Sequence, residues 1–224
     1  MAQYIVKVLA ANYITHDVKR FVVEKPAGFQ YQSGENVFIA INEVGWESQQ
    51  RHFSFTSLNE WPYLEFIIKI YEERDGVTNK LGKTNAGAEL ILFDVFGSIR
   101  YKGPGVFIAG GSGITPFISI FRDLYANGQI NGNKLILSNK SAEDIILPYE
   151  LFCMLKTNFI NVYTRQGVIG FLDRRIDRRM LIRLIGDFST SFYVCGPKDF
   201  VHEIREYLIS LGANAEVIIF EKGA

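Results

Sequence analysis

Two hydrophobic rhythms divide the chain. Through roughly the first hundred residues the apolar positions come in short runs, some alternating and some continuous: YIVKVLA, VKRFVVEK, NVFIAIN, RHFSFTS, YLEFIIKIY and LILFDVF. Clusters of Gly, Pro, Asn, Asp and Ser divide several of them, as turns divide antiparallel strands. With one helix-like interruption, VTNKLGKTN after Gly76, this spacing predicts an antiparallel barrel or sandwich. After YKGPG (Tyr101–Gly105) strands alternate with helices. VFIAGG, KLILSN, FINVYT and FYVC read as strands, and ITPFISIFRDLYANG, PYELFCMLK and KDFVHEIREYLISLG as helical stretches, before AEVIIFE closes the chain. That order predicts a doubly wound parallel sheet. The expected domains are 1–102 and 103–224, meeting at Lys102–Gly105.

Composition narrows the partners. The 224 residues are 48% hydrophobic and 21% charged, and the 24 Lys and Arg balance the 24 Asp and Glu. No global field therefore draws the chain to nucleic acid or an anionic membrane. No apolar run approaches the ~20 residues that span a bilayer. The amino terminus alternates like a strand and lacks the apolar centre of a signal peptide, so a cytoplasmic location is expected. Cys153 and Cys195 are too few for a disulfide framework or a protein-held iron–sulfur cluster. His16, His52 and His202 form no metal-binding spacing, and no metal is expected. Hard redox chemistry would need an organic cofactor.

Three stretches carry chemistry. In VFIAGGSGITPF a buried strand runs into Gly110, Gly111, Ser112 and Gly113, with Ile114, Thr115 and Pro116 where a helix begins. Glycines let a backbone approach a ligand, and a helix start offers N–H groups to a phosphate. A tight turn that binds nothing is the alternative. In FYVCGPKDF, Cys195 ends an apolar strand and Gly196-Pro197 turns into a helix, at the sheet end where ligands bind in open α/β folds. A buried small hydrophobe is its alternative reading. Cys153, in ELFCML, is expected in the core. The third stretch, QQRHFSFTS, sets His52 and Ser54 on one strand face, but no acid is placed to orient the imidazole and no G-x-S-x-G elbow occurs. Hydrolase chemistry is therefore set aside.

Arg51, Phe53 and Ser54 in RHFS resemble the R-x-[FY]-[ST] flavin signature of the ferredoxin–NADP reductase superfamily. GGSGITP resembles that family's nucleotide-pyrophosphate loop, CGP its nicotinamide-side motif, DGVTNKL its second flavin-phosphate segment, and FDVFGSI the stretch closing its flavin barrel. The resemblance implies a six-stranded antiparallel flavin-binding barrel followed by a doubly wound NAD(P)-binding domain. It implies FAD rather than FMN, held by Arg51 on the phosphates, Phe53 against the flavin, and Ser54 at flavin N5. His52, the strand Ile68, Lys69 and Ile70, and the segment Gly76, Val77 and Thr78 complete the implied flavin set. For the dinucleotide it implies Gly110 to Thr115, Asn139 and Lys140, Thr164 and Arg165, and Cys195, Gly196 and Pro197. Thr164-Arg165 resembles the Ser-Arg pair that grips a 2′-phosphate, which favours NADPH over NADH.

The implied catalytic groups are Ser54, Cys195 and Glu221. At the carboxyl terminus Glu221 is followed by Lys222 and Gly223, where well-known relatives carry an aromatic lid. The implied activity is hydride uptake from NAD(P)H and release of single electrons to flavodoxin or ferredoxin, by a monomer. A free-flavin reductase and a non-catalytic redox- or nucleotide-sensing module are the alternatives. The five arginines of DRRIDRRMLIR (Asp173–Arg183) read as a solvated helix face, or as a dock for an acidic carrier.

Overall fold

The computed structural model describes residues 3–97, 99–165 and 175–220. The chain divides into two compact units, one formed by residues up to Gly97 together with Thr115–Asp123, the other by Ser98–Ile114 and the chain from Leu124 onward.

The first unit holds β1 (Tyr4–Tyr13), β2 (Val18–Glu24), β3 (Asn36–Ile41), β4 (Arg51–Ser54), β5 (Tyr63–Lys69), α1 (Val77–Gly82) and β6 (Glu89–Phe96). The strands pair antiparallel in the order β4-β3-β6-β1-β2-β5. The register shifts between Val8 and Ala10 and between Val37 and Ile39, and such bulges bend strands enough for a sheet to curl. Just past β4, the Thr56 N–H donates to the Glu65 carbonyl (2.9 Å), so the two end strands come together and the barrel is nearly closed. The alternating residues Val37, Ile39 and Ile41, with Phe21, Phe66, Leu90 and Leu92, fill its interior.

In the second unit β7 (Gly105–Gly110), β8 (Lys134–Asn139), β9 (Phe159–Tyr163), β10 (Ser191–Cys195) and β11 (Ile218–Phe220) form a parallel sheet in the order β11-β10-β7-β8-β9. All of β7 is buried, as a central parallel strand covered on both faces must be. Val106, Ile108, Ile136, Phe192 and Val194 pack in one cluster with Leu181, Ile204 and Leu208. α2 (Thr115–Ala126), α3 (Pro148–Leu155), α4 (Arg178–Leu184) and α5 (Lys198–Ser210) connect the strands. On α3, Leu151, Met154 and Leu155 form the buried stripe. Cys153 falls off that stripe and is exposed, so its expected core position is corrected. On α4 the described arginines, Arg178, Arg179 and Arg183, are exposed while Leu181 is buried, which gives a solvated face. Among the described residues no helix is long and apolar enough to cross a membrane.

Glu65 of β5 is a carboxylate with no exposed surface. It accepts from Arg20 Nε (2.6 Å), Arg122 Nη1 (2.7 Å) and Thr56 Oγ1 (2.8 Å). Burial pushes its carboxyl up, but the Arg122 guanidinium, then Arg20 and the Thr56 hydroxyl, hold it below the ordinary carboxylate value. A depressed carboxyl contributes stability that is complete above the unfolded pKa, about 4.3, and is lost as pH falls through the lower folded value. The urea midpoint is therefore expected to drop as pH falls below about 4. Glu65→Gln should flatten that acid limb, and an identical limb in the variant would refute the assignment.

Candidate functional site

The parallel sheet reverses strand order at β7: the chain steps to β8 and β9 on one side, then to β10 and β11 on the other. Ligands bind at such switch points, outside the strands' carboxyl ends. Two turns meet here. After β7, Gly111–Ile114 forms a single 3-10 turn that enters α2 at Thr115, with Pro116 in the first helical turn. After β10, Cys195 pairs in register with Ala109 and leads through Gly196 and Pro197 into α5.

The glycines of these turns do different jobs. A Cβ at Gly113 would lie 2.5 Å from the Cys195 carbonyl oxygen, so the two main chains are in direct contact. A Cβ at Gly110 would press the Phe200 ring at 3.1 Å. Gly196 (φ +154°) would meet both that ring and the Gly110 nitrogen. Gly111 differs: its φ of +55° favours glycine, yet nothing lies within 4 Å of a Cβ there. The turn is open at Gly111 and closed against Cys195 at Gly113. Cys195 itself is 5% exposed. Ser112, Ile114 and Thr115 lie on the same short turn and helix start.

The two loops expected at the far end of the dinucleotide are brought together. The Thr164 N–H donates to the Asn139 carbonyl and the Arg165 N–H to the Lys140 carbonyl, both at 2.9 Å. This extends the β8–β9 pairing and sets Lys140 and Arg165, both exposed, side by side along the chain ends. Asn139 is 6% exposed, and its Nδ2 finds no partner among the described residues.

In the barrel unit, alternation along β4 separates the signature residues. Phe53 stands opposite Val37 and packs on the barrel core, whereas His52 stands opposite Phe38 and Ser54 opposite Asn36. His52 meets the Phe38 and Phe96 rings edge-on, at 6.1 and 6.0 Å. Arg51 is exposed; its side chain donates to its neighbour's carbonyl, Gln50 O (2.8 Å), and no acid pairs with it among the described residues. α1 lies against the connection leading into β4, because Lys80 pairs with Glu43 and faces the Trp46 ring. Its N-cap, Gly76, carries no side-chain cap, and nothing lies within 4 Å of a Cβ there. Val77 is buried and anchors the helix, while Thr78 is half-buried. At the opposite end, buried Lys19 donates to the carbonyls of Gly82 (2.9 Å) and Thr84 (2.7 Å), a cation at the negative end of α1.

Ile68 and Ile70 are core residues at 1% and 4% exposure, and Lys69 pairs with Asp17 at 2.6 Å. Only main-chain groups of that strand remain for a ligand. Glu221 lies outside the described residues. The Glu65–Arg122 network and the Asn36–Ser54 pairing escaped the sequence reading. Arg122, a charge beside Asp123 on a mostly apolar helix stretch, was the signal available.

Comparison with known proteins matches two domain families along the chain. The family model of an FAD-binding domain matches residues 3–98, and that of an oxidoreductase NAD-binding domain matches residues 107–206. NADH-cytochrome b5 reductase 1 of Eremothecium gossypii is 25% identical, over 96% of this chain and 81% of that protein. A nitrate reductase [NADH] of Cucurbita maxima is 24% identical over 85% of this chain, which spans only 25% of that longer protein. A ferredoxin NADP+ reductase from Neisseria gonorrhoeae, solved with bound FAD and NADP, has the same fold: its TM-score is 0.83 at 22% identity, covering 100% of both chains. The fold and both matched domains define an FAD- and NAD(P)H-binding oxidoreductase. The chain joins the FAD-binding and the oxidoreductase NAD-binding domain families, over residues 3–98 and 107–206, in the fold of the ferredoxin–NADP reductases.

The residues present fit both ligands. Arg51 is a cation without an acidic partner among the described residues, α1 starts uncapped beside open space, and the Gly111 turn is open where a pyrophosphate would approach. Gly113→Ala is expected to cost about 1–3 kcal/mol in urea unfolding, the range for overpacking a closed contact. Gly111→Ala has free space and only left-handed backbone strain, about 1–2 kcal/mol. A smaller loss for Gly113→Ala than for Gly111→Ala would overturn the distinction between the closed and the open glycine.

Proposed function

We propose that the protein oxidises NAD(P)H, with NADPH preferred, and delivers single electrons to a carrier protein of the flavodoxin or ferredoxin class. In this reading FAD belongs to residues 1–102 and the dinucleotide to residues 103–224. The open Gly111 turn at the β7–β10 switch point carries the proposal, because it offers main-chain approach to a pyrophosphate beside the carboxyl end of the strand that bears Cys195. Bound FAD supplies the redox chemistry itself, accepting electrons in pairs and releasing them singly.

The chain's own residues bind and orient. Arg51 offers a planar fork of donors to the flavin phosphates, and Gly76 to Thr78 offer main-chain N–H groups to the same charge. Ser54, 9% exposed and set beside Asn36, presents a hydroxyl from a rigid strand. We assign it the hydrogen bond at flavin N5. Phe53 supports the flavin side of β4 from the core, and His52 stiffens the strand through Phe38 and Phe96. Gly110 to Thr115 take the pyrophosphate, and Cys195, Gly196 and Pro197 border the nicotinamide. Lys140 and Arg165, with Asn139 and Thr164, face the adenosine end, and their two cations suit a 2′-phosphate. Glu221 is kept as an acid near the nicotinamide.

The test is stopped-flow reduction of protein whose flavin has been extracted and identified. Yellow protein surviving gel filtration and bleached by NADPH supports the reading, with transfer to flavodoxin, ferredoxin or cytochrome b5 deciding the acceptor. A colourless protein that reduces added flavin would make it a free-flavin reductase instead. No NAD(P)H oxidation with any acceptor would favour a sensing module. Ser54→Ala should slow flavin reduction about tenfold, the effect of losing one hydrogen bond of ~1–1.5 kcal/mol, while flavin stays bound. An unchanged rate sinks the role given to Ser54. Arg165→Ala should raise KM for NADPH about tenfold, a charge-assisted bond's effect, and leave NADH nearly unchanged. Equal effects on both would remove the 2′-phosphate contact.

A further inference from the structure

Thr115, Ser119 and Arg122 recur at helical spacing along one face of α2. Ser119 has no exposed surface and accepts from the Gly34 N–H (3.1 Å), while its hydroxyl donates to the Pro116 carbonyl (3.3 Å) in the helix's first turn. Arg122 is 8% exposed. Its Nη1 donates both to Glu65 Oε1 (2.7 Å) and to the Thr56 carbonyl (2.6 Å), and its guanidinium lies 5.0 Å from the Trp61 ring centroid. These partners bracket one place. Thr56 stands two residues after Ser54, and Gly34 two residues before Asn36, the cross-strand partner of Ser54.

We infer that Arg122, together with Ser119, is a positioning residue for hydride delivery: it locks the helix that begins at Thr115 to the strand that carries Ser54. The inference rests on the proposed function. A buried ion pair is weak evidence for stability, since well-packed apolar residues hold as well. What the ionic network adds is direction, because a guanidinium shared between a carboxylate and one main-chain carbonyl admits few orientations of the helix. Hydride transfer is sensitive to such orientation, and a displacement of about 1 Å can cost on the order of a hundredfold in rate.

The experiment uses the FAD-loaded protein and the double variant Glu65→Met/Arg122→Met, which removes both buried partners and leaves half-exposed Arg20 to water. Its thermal midpoint and FAD affinity should stay close to wild type. Hydrogen exchange at α2 amides should quicken, and flavin reduction at saturating NADPH or NADH should fall about tenfold or more. Reoxidation of dithionite-reduced protein by ferricyanide should not change. A wild-type reduction rate with unchanged α2 exchange overturns the inference. Should the double variant lack a cooperative transition, Ser119→Ala decides. Faster α2 exchange and a several-fold slower reduction support the clamp, and wild-type values for both refute it. A wild-type protein reduced by neither nucleotide would defeat the proposed function instead, and α2 exchange alone would then decide whether the clamp exists.

Discussion

A carboxylate taken fully out of water must be met by charge and by hydrogen bonds, or it will not stay ionised. Glu65 meets that demand with Arg20 from the neighbouring strand, Thr56 from the chain beyond β4, and Arg122 from α2. The demand therefore determines more than one contact. It draws the end of β4 to β5, which nearly closes the barrel, and it brings a helix that begins far along the chain into the same unit.

The parallel sheet rests on a different constraint, the absence of side chains. Gly110, Gly113 and Gly196 allow the turns after β7 and β10 to touch through their main chains and the Phe200 ring, and any Cβ at Gly113 would strike the Cys195 carbonyl. Packing glycines of this kind build the floor on which Gly111, the open glycine of these two turns, stands. A glycine-rich loop is thus partly a statement about itself and partly about a ligand, and only the free space around each residue separates the two.

Charge balance conceals a strong local order. Equal numbers of acids and bases give no net field, yet Arg51, Lys140 and Arg165 are exposed cations for which no acidic partner occurs among the described residues, while Arg20, Lys69, Lys80 and Arg122 are paired. These three stand at positions that the family resemblance assigns to phosphates, while other exposed cations, such as Lys83, Lys156 and Arg178, are simply solvated. The paired ones hold strands, α1 and α2 in place. Sequence type alone does not distinguish an Arg51 from an Arg122.

The alternating runs and the later strand–helix alternation by themselves determined six antiparallel strands and then a parallel sheet, because hydrophobic periodicity is a local property written along each element. The order of the motifs carried the family resemblance for the same reason, since each is a short continuous stretch. Tertiary structure decided the rest. Cys153 left the core because α3 already had a complete apolar stripe in Leu151, Met154 and Leu155. Ile68 and Ile70 were committed to the barrel interior by strand alternation against partners far away in sequence. Arg122 joined Glu65 across 57 residues, a pairing that no local pattern records. Which glycine is open, which cation is free and which strand carries the buried charge all depend on long-range packing, where the energy of a residue is set by neighbours the linear chain does not name.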